Sequence, residues 1–236
     1  MQKEKVYAFD FDGTLTTRDT FLAFIRHAKG NLSFVWRMML HSPWLVMMKL
    51  GLYPNWKAKQ RVFSYFFKGM SIEDFNQQCW FFAYDKRSLI RPKAIEAIRQ
   101  AQSEGAKVLI VSASVENWVG RCLEAALATA PQQPTISSPT GKATGRRDSG
   151  NGGREGAPNA QQPSPITFLC TQIEVKDEHL TGRLLGKNCY GQEKVDRIKE
   201  VLPQREDYEL IAYGDSRGDK EMLDYADERH YKPFRR

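Results

Sequence analysis

Val6-Tyr7-Ala8-Phe9-Asp10-Phe11-Asp12-Gly13-Thr14 is a short apolar run that ends in two acids and a glycine. It reads as a buried strand feeding a functional loop. Side chains two apart on extended chain point the same way, so Asp10 and Asp12 can face one pocket. Two such carboxylates repel unless a cation joins them or one keeps its proton. Taken alone, the pair fits a catalytic metal site, a calcium loop or a plain acidic turn.

A second unit lies downstream. Pro92 opens a helical pattern carried by Ala94, Ile95, Ala97, Ile98 and Ala101, and Gly105 is placed to end it. Val108-Leu109-Ile110-Val111 then reads as a buried strand stopping at Ser112, with a helix from Glu116 to Ala128. Later, Lys194–Leu202 is helical, Glu209–Tyr213 strand-like and Lys220–Ala226 helical again. Strands alternating with helices predict an α/β fold with a parallel sheet covered on both faces. In such sheets ligands sit at the carboxyl ends of the strands. Asp10, Ser112 and Asp215 each stand at one of those ends.

Two stretches interrupt the alternation. Residues 17–88 are rich in aromatics and Met at helical spacing and read as a helical insert. The run 130–165 holds six of the eleven prolines, six glycines and one aliphatic residue larger than alanine, Ile136. It cannot bury enough surface to offset its ordering entropy, so it reads as a low-complexity insertion with no binding patch in Arg146, Arg147 or Arg154.

The 236 residues suffice for one good-sized α/β domain, or for a core with a small second domain. Mean hydropathy is −0.55, and no stretch is long and apolar enough to span a membrane. The charged Met1-Gln2-Lys3-Glu4-Lys5 has no signal-peptide shape. Cys79, Cys122, Cys170 and Cys189 lie far apart with no Cys-x-x-Cys pair, which argues against a thiolate metal site or disulfide framework and for a reducing cytoplasm. The formal charge of +7 is spread along the chain with no long Lys/Arg run. It fits a basic surface or an anionic small substrate rather than nucleic acid.

The other strand ends add chemistry. Ser112 precedes a helix, where a hydroxyl and free N–H groups can hold a phosphate oxygen, or simply cap the helix. Lys194 lies near a helix start in Gly191-Gln192-Glu193-Lys194. Gly214-Asp215-Ser216-Arg217-Gly218-Asp219 carries two acids four apart between glycines that allow sharp turning. Asp10-x-Asp12-x-Thr14, Ser112, Lys194 and Asp215-x-x-x-Asp219 together resemble the four ordered motifs of the haloacid dehalogenase superfamily. Arg91-Pro92, Val111-Ser112-Ala113-Ser114 and Thr181-Gly182-Arg183 resemble its phosphoserine-phosphatase-like branch, subfamily IB. The resemblance spans nearly all of the chain except 130–165.

That resemblance implies a Rossmann-like core, 1–16 plus 89–236, and a helical C1-type cap, 17–88, inserted after the first strand. It implies a magnesium-dependent phosphatase with Asp10 as nucleophile and Asp12 as general acid/base. Mg2+ would be held by the Asp10 side chain, the Asp12 backbone carbonyl and Asp215, with Asp219 supporting. Ser112, Ala113 and Lys194 would bind the transferring phosphoryl group. An acid at position 12 separates this chain from the dehalogenases, which lack one, and from the transport ATPases, which carry Lys; phosphomutases remain the alternative. A catalytically idle phosphate-binding protein is a further one.

For the substrate, Asp19 and Arg61 are the specificity candidates, with Lys57 and Lys59 able to replace Arg61. Asp19 reads somewhat better as a helix N-cap before Phe21. Gly218 stands where phosphoserine phosphatase has Asn, which weakens an amino-acid substrate. The Trp- and Met-rich runs Phe34–Leu40 and Trp44–Leu50 either pack within the cap or meet an acyl chain or membrane interface. The expectation is thus a cytoplasmic enzyme for a small phosphate ester, or one for a lipid phosphate at the inner membrane face.

Overall fold

The computed structural model describes residues 3–31, 34, 36, 50, 53–128 and 164–235. Most of the Trp- and Met-rich runs and all but the end of the 130–165 insertion lie outside these residues. The core begins with β1 (Glu4–Phe9), and α1 (Thr20–Lys29), α2 (Asn55–Phe67) and α3 (Ile72–Asp85) come from the insert. Then follow α4 (Pro92–Ser103), β2 (Lys107–Val115), α5 (Glu116–Ala128), β3 (Ile166–Lys176) and β4 (His179–Leu185). The chain continues through α6 (Gln192–Val201), β5 (Tyr208–Gly214), α7 (Lys220–Tyr225) and β6 (Glu228–Tyr231).

The six strands form one sheet in the order β4-β3-β2-β1-β5-β6. Every neighbouring pair is parallel except β3 and β4. Alternation along each central strand divides the core. Tyr7, Phe9, Val108 and Ile110 pack on one face with α4 and α5, whereas Val6, Ala8, Leu109 and Val111 pack on the other with Val195, Ile198, Met222 and Leu223. A sheet buried on both faces needs apolar residues at successive positions, as the sequence shows. The predicted α4 and α5 match, with Pro92 in the first turn and Gly105 at φ 71° after the end.

The antiparallel β3–β4 hairpin and the edge strand β6 are absent from the sequence reading. Asp177 and Glu178 form the two-residue connection at φ 48° and 61°. Two positive φ values define the turn that suits a tight hairpin, for which Asn-Gly is the usual signal. An Asp-Glu pair gives no such signal.

The insert leaves and rejoins the core at one seam. Thr16 bridges Ile90, Thr17 N–H donates to Leu89 O at 2.8 Å, and Arg91 N–H to Leu15 O at 2.8 Å. Phe24 joins the helices, with ring centroids 5.5 Å from Phe67 and Phe75, 5.4 Å from Phe82 and 4.7 Å from Trp118 of α5. Phe24 is fully buried. Phe24→Ala should therefore lower stability by about 3–5 kcal/mol in urea unfolding; a loss under about 1 kcal/mol would deny the ring this joining role.

Candidate active site

The carboxyl ends of β1, β2 and β5 open into a cavity of about 500 Å3 whose walls include Asp10, Asp12, Ser112, Lys194, Asp215 and Asp219. After β1, residues 11–15 form one wide helical turn broken by Gly13 at φ 84°. A Cβ on Gly13 would lie 2.6 Å from Asp215 Oδ2, so only glycine lets the two loops meet. Within β2, the pairing with β3 shifts register between Ser112 and Val115, so the strand continues past Ser112, where the sequence pattern ends it. Such a bulge redirects side chains next to a site.

Lys194 is the hub. Its ammonium donates to Asp10 Oδ1 at 2.6 Å, to Val111 O at 2.7 Å and to Asp219 Oδ1 at 2.7 Å. All three donors are used, so direct contact with a phosphate requires one to be exchanged. Asp219 Oδ2 accepts from the N–H groups of Asp215 and Ser216, at 3.1 and 2.9 Å, and from the Ser216 hydroxyl at 2.8 Å. Burial pushes the Asp10 carboxyl up to about 7 against the opposing pull of Lys194. At Asp219 burial is outweighed by Lys194 and the Ser216 hydrogen bonds, and its carboxyl lies below the usual range. Lys194 stays charged because these two acids outweigh its own burial.

Asp12 has different surroundings. Its Oδ1 accepts from Thr20 N–H at 2.7 Å and the Thr20 hydroxyl at 2.6 Å, and its Oδ2 pairs with the Ser114 hydroxyl. Trp118 Nε1–H donates to Thr20 Oγ1 at 3.1 Å, extending the network into α5. Burial first, then the charge of Asp19, raises the Asp12 carboxyl above its ordinary range. A carboxyl that holds its proton can serve as an acid.

Single oxygens of Asp10, Asp215 and Asp219 lie within 4.8 Å of one another, a donor set that suits a hard cation such as Mg2+. The carboxylate of Asp12 is outside this set; the expectation for that residue concerned its backbone carbonyl. Arg235 pairs with Asp215 Oδ2 and already places a positive group there. Residue 235 is held by Lys232 N–H on Gly214 O at 2.8 Å, by stacking of Phe234 on Tyr213 and by Arg91 Nη1 donating to Phe234 O at 3.2 Å.

The specificity candidates separate. Asp19 caps α1, accepting from Leu22 N–H at 3.2 Å, and also lines the cavity. Arg61 does not line it; it lies in an outer groove with Lys57 and Arg183. Lys59 takes the inner place, donating to Ala113 O at 2.6 Å with its ammonium 5.0 Å from the centre of the Phe21 ring. Lys59 stands four residues before Phe63 and three before Val62, on the buried stripe of α2, and a cation on an apolar stripe is the signal that separates it from Arg61. Ser114, Thr20 and Arg235 had no comparable pattern, because their contacts, with acids 102, 8 and 20 positions away, follow no helical or strand period.

Lys194→Met would leave two buried acids without their counter-ion and should cost about 3–5 kcal/mol near neutral pH. Since the folded pKa of Asp10 lies above its ordinary 3.8, its share of stability is present below that value and lost as pH rises through about 7. Urea titrations in chelator should show this decline, steeper in Lys194→Met. Arg235→Ala should tighten Mn2+ binding several-fold by electron paramagnetic resonance, because removing a cation beside Asp215 removes a competitor for the ion.

The haloacid dehalogenase-like hydrolase family model matches residues 7–164 and 157–224. Proteins named CicA from two Caulobacter vibrioides strains are 31% identical over 231 residues, 97% of this chain and 86% of theirs. A solved Bordetella pertussis Tohama I protein of unknown function superposes with TM-score 0.72 at 16% identity, covering 97% of this chain and 89% of that one. A phosphoserine phosphatase described as a phospho-aspartyl intermediate analogue gives 0.54 at 19% identity, with coverage of 97% and 86%. A cytosolic 5′-nucleotidase IIIB bound to cytidine gives 0.57 at 13% identity, with coverage of 97% and 72%. The chain belongs to the haloacid dehalogenase-like hydrolases.

Proposed function

We propose that this hydrolase is a Mg2+-dependent phosphatase of phosphomonoesters that works through an aspartyl phosphate on Asp10. The observation that carries the reading is the carboxylate group Asp10, Asp215 and Asp219 gathered beside Lys194, with Asp12, its carboxyl raised above the ordinary range by burial, in the same cavity. Asp10, Asp215 and the Asp12 carbonyl would hold the Mg2+, whose chemistry is neutralisation of phosphoryl oxygen charge.

One Asp10 oxygen attacks phosphorus as the ester P–O bond breaks, and the Asp12 carboxyl gives its proton to the departing oxygen. Asp12, now a carboxylate, takes a proton from water as that water attacks the acyl phosphate, releasing inorganic phosphate and free Asp10. Lys194 holds Asp10 in place and lowers its repulsion toward phosphate. Ser112 and the Ala113 backbone fall to the phosphoryl group, and the described helices of the insert, α1, α2 and α3, would cap it. The phosphoserine phosphatase sharing this fold supports the aspartyl route by its own description.

Lys59 and Asp19 at the cavity wall are the specificity groups we favour, the lysine for an anionic part of the alcohol. The substrate is a small phosphate ester or a lipid phosphate. Turnover of a phosphomonoester panel with and without Mg2+ tests the reaction and its substrate class. Asp10→Asn should reduce turnover at least about a thousandfold and leave the urea midpoint unchanged or higher, since a buried acid is removed. Retained turnover would refute the nucleophile, and transfer within one substrate without phosphate release would favour the mutase.

A further inference from the structure

The charge of the chain is not evenly spread, although no long Lys/Arg run marks where it gathers. Residues 20–72 contain eight Lys or Arg and no Asp or Glu. The rest of the chain sets 27 cations against 28 acids, so the whole positive excess lies in this segment. Charge asymmetry of this kind points to a polyanionic partner.

The structure concentrates part of it on one face. On α2, Ala58, Val62, Phe63, Phe66 and Phe67 are buried, while Lys57, Arg61 and Tyr65, followed by Lys68 at the C-cap, lie on the outer side. Arg183 of β4 faces them across a groove of about 600 Å3. No carboxylate is among the described residues that line it; Glu174, 4.0 Å from Arg183, stands outside. Gly182 forms the floor, where a Cβ would lie 2.6 Å from Ser64 Oγ, so the strand and helix approach as closely as glycine allows.

Exposed apolar groups accompany the cations. Trp56 and Tyr65, at 46% and 44% exposure, belong to the groove, and Trp36 and Leu50 of the same acid-free segment are 71% and 67% exposed. Cations alone would suit any polyanion. Cations together with exposed Trp, Tyr and Leu suit a surface that is charged at its face and apolar just beneath, which is the interface of an anionic bilayer.

We propose that the α2–β4 face docks this protein on an anionic phospholipid surface, with headgroup phosphates along the groove and the aromatic rings at the interface. Because α2 also gives Ala58, Lys59 and Val62 to the catalytic cavity, docking would hold that cavity beside the membrane. The proposal does not depend on the reaction proposed above, since binding is read without turnover.

Co-sedimentation of the full chain with phosphatidylcholine vesicles, with and without phosphatidylglycerol, tests it. Binding should require phosphatidylglycerol and weaken with salt. The triple variant Lys57→Gln, Lys68→Gln, Arg183→Gln should lower the partition coefficient about a hundredfold. Its thermal melting by circular dichroism should match the parent, since all three side chains are exposed. Lack of binding at low salt, equal binding to phosphatidylcholine alone, or full binding by the folded triple variant would overturn the proposal. So would binding of a single-stranded oligonucleotide without any binding of vesicles.

Discussion

A buried ammonium holds this site together. Lys194 is 2% exposed and ties the end of β1 through Asp10, β2 through the Val111 carbonyl and the loop after β5 through Asp219. A charge removed from water is tolerated only when its hydrogen bonds are complete. Here they are complete only if three separate segments converge. The same lysine then shapes the electrostatics: Asp219, which also accepts the Ser216 hydrogen bonds, is held below its usual range, and Asp10, which lacks them, is pushed by burial up to about 7.

The loops around that hub are shaped by close approach. Gly13 admits the Asp215 carboxylate, and Gly214 admits Asp219, where a Cβ would lie 2.6 Å from the Asp219 Cβ. Asp12 is oriented from a different direction, by Thr20 at the start of α1 and Ser114 in the β2 bulge. The inserted helices thus do more than cover the sheet. Through Thr20 and Lys59 they reach the same cavity, and Phe24 stacked on Trp118 secures them to the core.

How much of this was legible follows from range. Buried strands running into Asp10 and Asp215, and helices with Pro92 and Gly105 at their ends, are local patterns, and the structure contains them; the strand expected to stop at Ser112 instead runs on to Val115 across a register shift that no local pattern announces. The β3–β4 hairpin was hidden because Asp177-Glu178 adopts positive φ without a glycine or asparagine to announce it. Charge alone does not separate Arg61 from Lys59; the helical face does, setting Lys59 at the cavity and Arg61 in the outer groove. The positive excess was passed over because it is a long absence of acids rather than a run of cations.

The sequence alone determined the α/β alternation, the family and the identity of the acids and the lysine at the strand and helix ends, because periodicity and motif spacing act over a few residues. Only the tertiary structure decided that all three Lys194 donors are spent on protein acceptors, that Asp12 is held by Thr20 and Ser114, and that Arg235 lies on Asp215. Two of these contacts join residues more than a hundred positions apart, and desolvation on folding sets their energies. Neither distance nor desolvation is written in the order of residues.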